Sequence, residues 1–248
     1  MNLQIHRLAA ACLVLASAVQ VAPAHAGVTI GGTRVVFPGQ NREVTVHLQH
    51  SGETPSLVQT WIDDGDIQAT PSTAKAPFVV RPPIFRMDAG KKQVLRIVQA
   101  GAELPQDRES LYWFNVREVP ASAPKATVDN AAELRLIVRT RIKLLYRPKG
   151  LTAAGAQAAL RQLSWRLQQN SGSCVLSADN ATAYHVNVNK IDVGPRSVNG
   201  EQGAVAPFGT KQFTLELAQC RQLGEHVNYQ YINDFGAVVT YKAALART

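Results

Sequence analysis

The sequence predicts an all-β protein made of two antiparallel sandwich domains, and three observations carry that prediction. First, Glu133 to Pro148 alternates. Leu134, Leu136, Val138, Thr140, Ile142, Leu144 and Tyr146 fall on one parity; Arg135, Ile137, Arg139, Arg141, Lys143, Leu145 and Arg147 fall on the other. Successive strand side chains point to opposite faces, so this is a strand with one apolar and one mostly cationic face; a helix would scatter the arginines among the leucines. Second, short alternating runs recur between Gly, Pro, Asn and Asp turns, with no long helical periodicity. Third, Pro148-Lys149-Gly150 interrupts the series, and a second set of short strands follows it.

Taken in order, Met1 to Ala26 reads as a leader. His6 and Arg7 precede the apolar stretch Leu8 to Ala22, and Ala24-His25-Ala26 is a small-x-small cleavage site, which puts the mature start at Gly27. Cys12 sits too early in the apolar stretch, behind Ala9-Ala10-Ala11, to read as a lipidation site. The stretch is too short to span a bilayer, and no later segment has 18 apolar residues in a row, so an exported chain without membrane insertion is expected. Removing 26 of 248 residues leaves 222, enough for two ordinary domains or one large one. The formal charge of +8 becomes +7 once Arg7 leaves. That charge is scattered, and aromatic residues make up 6% of the chain, which disfavours nucleic acid as a partner.

Val28 to Phe37 reads as a strand broken at Gly31-Gly32 and ended by Pro38-Gly39. Val44, Val46 and Leu48 alternate with Thr45, His47 and Gln49 ahead of a Ser51-Gly52 turn. Leu57 to Ile62 is the next strand, with Asp63-Asp64-Gly65-Asp66 as its solvated turn. Phe78 to Val80 leads into Arg81-Pro82-Pro83, where two prolines bar a regular ladder and make a cis X-Pro bond an open alternative. Gln93 to Val98 and Leu111 to Val119 follow, then a polar loop, Pro120 to Ala132. The alternating strand comes next, about 13 residues long against a usual range of roughly 3 to 10. Its cations suit a sheet edge, where charge discourages unwanted pairing, while an apolar row on an edge can recruit a partner's strand. A central strand covered on both faces is the equal alternative.

Beyond Pro148, Ala153 to Arg161 reads as short helix or irregular chain. Strands are then expected at Leu163 to Gln168, Cys174 to Ser177, Tyr184 to Val193, Gln212 to Ala218, Val227 to Ile232 and Ala237 to Ala243. This divides the chain into a leader at 1–26, a first domain at 27–148 and a second, smaller one at 149–248. Cys174 and Cys220 are the cysteines left after the leader, and an oxidising compartment favours a disulfide between them.

Catalytic signatures are missing: the chain has no G-x-S-x-G, H-E-x-x-H, C-x-x-C or G-x-G-x-x-G. His47 and His50, three apart on a strand, point to opposite faces and build no metal site. No enzyme, cofactor or metal is expected.

Several segments resemble the PapD-like periplasmic pilus chaperones. They are Thr33-Arg34-Val35-Val36-Phe37, Leu57-Val58-Gln59-Thr60-Trp61, Pro82-Pro83-Ile84-Phe85-Arg86, the run from Leu104 to Asn115 (LPQDRESLYWFN), the run from Arg141 to Pro148 (RIKLLYRP), and Tyr231-Ile232-Asn233-Asp234-Phe235-Gly236. LPQDRESLYWFN and RIKLLYRP, in that order, are the specific ones. The resemblance implies two immunoglobulin-like β-sandwich domains with a cleft between them. It implies that Arg34 and Lys143 grip a subunit's C-terminal carboxylate, and that Leu134, Leu136 and Val138 fill the groove of an incomplete pilin in place of its missing strand. It implies an interdomain ionic cluster of Glu109, Arg147 and Asp234. The implied function is an ATP-independent periplasmic chaperone that completes pilus or fimbrial subunits and delivers them to an outer-membrane usher. Self-association of the free chain is a further expectation. The 120–132 loop resembles that of the short-loop subclass. The competing reading is an exported immunoglobulin-like adhesion or binding module, which has no need of an exposed apolar row.

Overall fold

The computed structural model describes residues 27–101, 103–121, 136–169, 172–193, 196–199 and 203–247. The leader, Leu134 and all but the first two residues of the 120–132 loop lie outside the described residues.

Among the described residues, the chain up to Arg147 forms β1 (Val28–Ile30), β2 (Arg34–Pro38), β3 (Glu43–His50), β4 (Ser56–Asp63), β5 (Phe78–Arg81), β6 (Ile84–Met87), β7 (Lys92–Gln99), β8 (Ser110–Pro120) and β9 (Val138–Arg147). They make two sheets, ordered β1-β3-β7-β5 and β2-β9-β8-β4-β6. The first strand region changes sheets at Gly31-Gly32: β1 pairs antiparallel with β3, whereas β2 pairs parallel with β9. The inward parity of each sheet fills one core. Leu48, Val80, Leu95 and Ile97 come from one side, and Phe37, Val58, Phe114 and Leu144 from the other. Phe78 ties the layers, 5.2 Å from the rings of both Phe37 and Tyr112. The Arg81–Pro82 bond is cis, and β6 begins just past the proline pair, a strand the sequence reading did not assign.

The long strand is shorter than its alternation suggests. Leu136 and Ile137 are described but lie outside β9. The register explains this. Val138 pairs with Glu118, so Leu136 would face Pro120, which has no N–H to give a ladder. Both readings of the strand's position hold, each for half of it. Lys143 to Tyr146 is central, flanked by β2 and β8; Val138 to Ile142 pairs with β8 alone and presents a free edge on its other side among the described residues.

The second half carries a short helix, Ala153–Ala159, whose first turn is capped by Thr152. Strands β10 (Leu163–Gln169), β11 (Ser173–Asn180), β12 (Val186–Val193), β13 (Arg196–Asn199), β14 (Ala204–Val205), β15 (Thr210–Glu216), β16 (His226–Ile232) and β17 (Val238–Arg247) follow. They run β13-β12-β16-β17-β10-β11-β15, with β14 added to β12, and β10·β17 is a parallel pair. Trp165 sits at the centre of their core, with Tyr229 at 5.1 Å and Phe213 at 6.2 Å.

One expectation is corrected here. The strand predicted to run on to Ala218 ends at Glu216, and Leu217–Gln222 is a helix. Glu216 and Gln219 form its capping box, so side chain–backbone bonds at Glu216 outcompete further ladder. The disulfide joins Cys174 to Cys220 as expected and ties β11 to this helix.

Candidate functional site

The cleft side of the first sandwich is organised by the parallel pairing of β2 with β9. Its register sets Arg34 directly across from Lys143. Two cations side by side repel, and here they are also withdrawn from water. Burial, then the neighbouring charges of Arg34 and Lys211, push the Lys143 ammonium down to about 8. Burial likewise lowers Arg34, only partly offset by Asp234. Both reach across to the second half of the chain. Arg34 donates to the Ile232 carbonyl at 3.0 Å, and Lys143 donates to Asn187 Oδ1 at 2.5 Å. These acceptors are neutral. Among the described residues neither cation forms an ion pair, and Arg34 Nε is buried with no hydrogen-bond partner.

A few residues along, Arg147 has what Arg34 and Lys143 lack. Its Nε donates to Glu109 at 2.7 Å, and its two terminal nitrogens hold Asp234 at 2.8 and 3.1 Å. Glu109 also accepts from the His185 amide at 2.8 Å. The His185 ring nitrogen, at 3.6 Å, is beyond hydrogen-bonding distance, so the amide is the firm tie. Burial opposes ionisation of Glu109, but His185 and Arg147 outweigh it and hold the carboxyl below its ordinary value. Burial works against Arg147 too, and Asp234 and Glu109 more than restore its charge. The structure thus brings together Glu109, Arg147 and Asp234. Asp234 is delivered by the turn after β16, where Gly236 has φ +82° and a Cβ on it would lie 2.4 Å from Thr33 Oγ1 in the first domain. The fit between the halves therefore requires glycine on two counts.

The cationic face of β9 is not a solvated row. Arg139 lies 4.8 Å from the centre of the Trp61 ring, and Arg141 lies 4.2 Å from that of Trp113. Both are bound by Asp63, which also accepts from Asn115 at 2.7 Å and is fully buried. This corrects the reading of Asp63 as part of a solvated turn: it is the last residue of β4, and only Asp64 to Asp66 lie in the turn. Asp63, Asn115, Asn187 and His185 are the site residues that sequence reasoning missed. A D-D-G-D run signals a turn whatever its first residue touches, and nothing local marks an asparagine as a cleft acceptor.

At the free edge of β9 the apolar row is displayed, not packed. Leu136 and Val138 are 64% and 51% exposed, and Ile137 between them, on the opposite parity, is 60% exposed. Leu134 lies outside the described residues. The other end of the same row, Ile142 and Leu144, is in the core.

Comparison with known proteins gives a consistent picture. Residues 27–152 match the family described as pili and flagellar-assembly chaperone, PapD N-terminal domain, and residues 158–243 match pili assembly chaperone PapD, C-terminal domain. The chain is 40% identical to the chaperone protein FimB/FhaD of Bordetella pertussis over 247 residues, covering 97% of each. It is 35% identical to the probable fimbrial chaperone YadV of Escherichia coli, covering 89% of this chain and 90% of that one. Among solved structures, the CupB2 chaperone of Pseudomonas aeruginosa superposes with a TM-score of 0.69 at 35% identity, over 88% of this chain and all of that one. The SafB chaperone of Salmonella enterica, solved in complex with the SafA pilin, gives 0.70 at 28% identity, over 90% of this chain and 99% of that one.

Proposed function

The chain belongs to the PapD family of pilus-assembly chaperones, and from that premise we propose that Arg34 and Lys143 hold the terminal carboxylate of a pilin subunit while the exposed edge of β9 completes the subunit's fold. It is a chaperone of the chaperone–usher type, with pilus subunits as its partners; the adhesion-module reading is not favoured. Its working compartment on this reading is the periplasm, and no helix among the described residues is long and apolar enough to cross a membrane.

The observation that carries the proposal is the pair of adjacent, partly buried cations that form no ion pair among the described residues. Such a pair is costly in the free protein and becomes favourable when an anion enters. A carboxylate fits: it accepts several hydrogen bonds, and Arg34 Nε and the Lys143 ammonium have donors to give. Once the terminus is fixed, the register of the strand that follows β9 is fixed as well. Side chains alternate every residue, so the parity shared by Leu136 and Val138 then faces the subunit's groove. Leu134 belongs to the same proposal by its parity. The Glu109–Arg147–Asp234 cluster sets the angle between the halves, so that the anion site and the free edge face a single ligand.

The test is peptide affinity with a pilin C-terminal strand, free or amidated at its terminus, measured on wild type, Lys143→Ala, Arg34→Ala and the double variant. Loss of one charge-assisted bond commonly costs about 1.5 to 3 kcal/mol, roughly ten- to hundredfold in affinity. Amidation should weaken wild type by that factor and do little further harm in the double variant. An equal effect of amidation in both would put the carboxylate elsewhere.

A further inference from the structure

A third buried carboxylate, remote from the cleft, lacks a cation among the described residues. Glu118, on β8 in one sheet, is 9% exposed. Its oxygens accept from the Ser56 hydroxyl at 2.8 Å and from the Val28 amide at 2.7 Å. Val28 opens β1, which belongs to the other sheet. Both donors are neutral, and no Lys, Arg or His side chain among the described residues ion-pairs with Glu118. An ionised carboxylate is expensive to bury on two neutral donors.

The residue lying against it is Gly27. A Cβ built there would sit 2.2 Å from one Glu118 oxygen and 2.5 Å from the other. Any side chain would therefore collide with the carboxylate or drive it away; glycine is what lets the backbone come so close. Gly27 is also held from the other side, since its carbonyl accepts from the Ser51 amide at 3.1 Å. Its nitrogen is bonded to the same Cα. In the unprocessed chain that nitrogen is a neutral amide. Ala24-His25-Ala26 predicts cleavage just before it, and cleavage turns it into an α-ammonium.

We propose that removal of the leader at Ala26 creates a structural ion pair, in which the new α-ammonium of Gly27 docks on the Glu118 carboxylate and locks β1 across the two sheets of the first sandwich. Processing then does more than release the chain: it supplies the one charge the sandwich lacks at this corner. The inference does not depend on how the cleft binds subunits.

The experiment uses the mature protein purified from the periplasm. Intact mass should show Gly27 as the first residue. The α-amine is then labelled with trace acetic anhydride across pH, in wild type and in Glu118→Gln. Ordinary α-amino groups titrate at about 7.7 to 8.0. An ion pair with a buried carboxylate raises that midpoint, whereas burial without a partner lowers it. The expected result is a midpoint at least one unit higher in wild type than in Glu118→Gln, and acetylation at neutral pH at least tenfold slower. A different first residue, or equal midpoints in the two folded proteins, overturns the proposal. If Glu118→Gln does not fold, the wild-type midpoint decides by itself: above about 8 it supports the ion pair, at or below that it refutes it.

Discussion

Lys143 is a cation whose chemistry departs far from its type. Its ammonium is pushed down to about 8 by burial and by the cations Arg34 and Lys211. Between about 8 and the ordinary lysine value of about 10.4, the unfolded chain holds a proton that the folded chain has released. Stability therefore rises with pH through that window, and the full cost of the buried charge is felt below it. Lys143→Met should raise Tm at pH 7, with the gain over wild type shrinking steadily towards pH 10.5. Melting curves of both proteins across pH 6.5 to 10.5 check this, and a gain independent of pH would show that the lysine's packing, not its charge, is responsible. The same shift predicts that the binding of a carboxylate weakens above pH 8, because the anion must then bring the proton back.

At the scale of an element, β9 is a strand of two halves with different supports. Lys143 to Tyr146 is held by ladders on both sides, Val138 to Ile142 by β8 alone. What keeps the second half extended is the grip of Asp63 on Arg139 and Arg141, backed by the Trp61 and Trp113 rings. A strand that must pair with an incoming subunit gains if its ordering has been met in advance. Asp63→Asn should cost about 3 kcal/mol, since it strands two guanidinium groups over a buried neutral amide. It should also speed amide exchange at Val138 to Ile142 more than elsewhere in the sheet. Uniform acceleration over both halves of β9 would mean that Asp63 supports the fold in general and not this edge. The Cys174–Cys220 bridge acts at the same scale, pinning the helix Leu217–Gln222 to β11.

For the whole molecule, strong polar contacts join the two sandwiches. Arg147 joins Glu109 to Asp234, Glu109 joins the first domain to the His185 amide, and the Glu109 amide bonds the Ala183 carbonyl at 2.9 Å. Arg108 lies 5.0 Å from the centre of the Phe208 ring. Asp234→Asn removes one charged partner, at a cost of about 1.5 to 3 kcal/mol to the joint, and leaves both cores untouched. Small-angle scattering should show a broader spread of interdomain angles, while Tm falls by only a few degrees. An unchanged scattering profile together with unchanged subunit affinity would reduce the cluster to decoration.

Strand parity, the all-β class and the pairing of Cys174 with Cys220 were legible in the bare sequence. Each depends on local alternation or on simple availability, and those survive without knowledge of neighbours. The pairing of functions across the cleft was legible only through resemblance: nothing local to Arg34 points to Lys143. Four features lay beyond both. Asp63 looked like turn chemistry because the D-D-G-D composition is a turn signal whether or not its first carboxylate is buried under two arginines. The long strand stopped at Val138 because its register meets Pro120 on the neighbouring strand. The strand expected to reach Ala218 gave way to helix at Leu217 because the Glu216–Gln219 capping box ends the ladder early. Glu118 falls within an ordinary strand pattern, and nothing local marks Gly27, 91 positions earlier, as the residue against it. Alternation along a chain says which way a side chain faces. Which strand lies alongside, in what register and with how much water left between them depends on residues far away in the chain, and those set the depressed lysine, the half-open edge and the two carboxylates on which this fold turns.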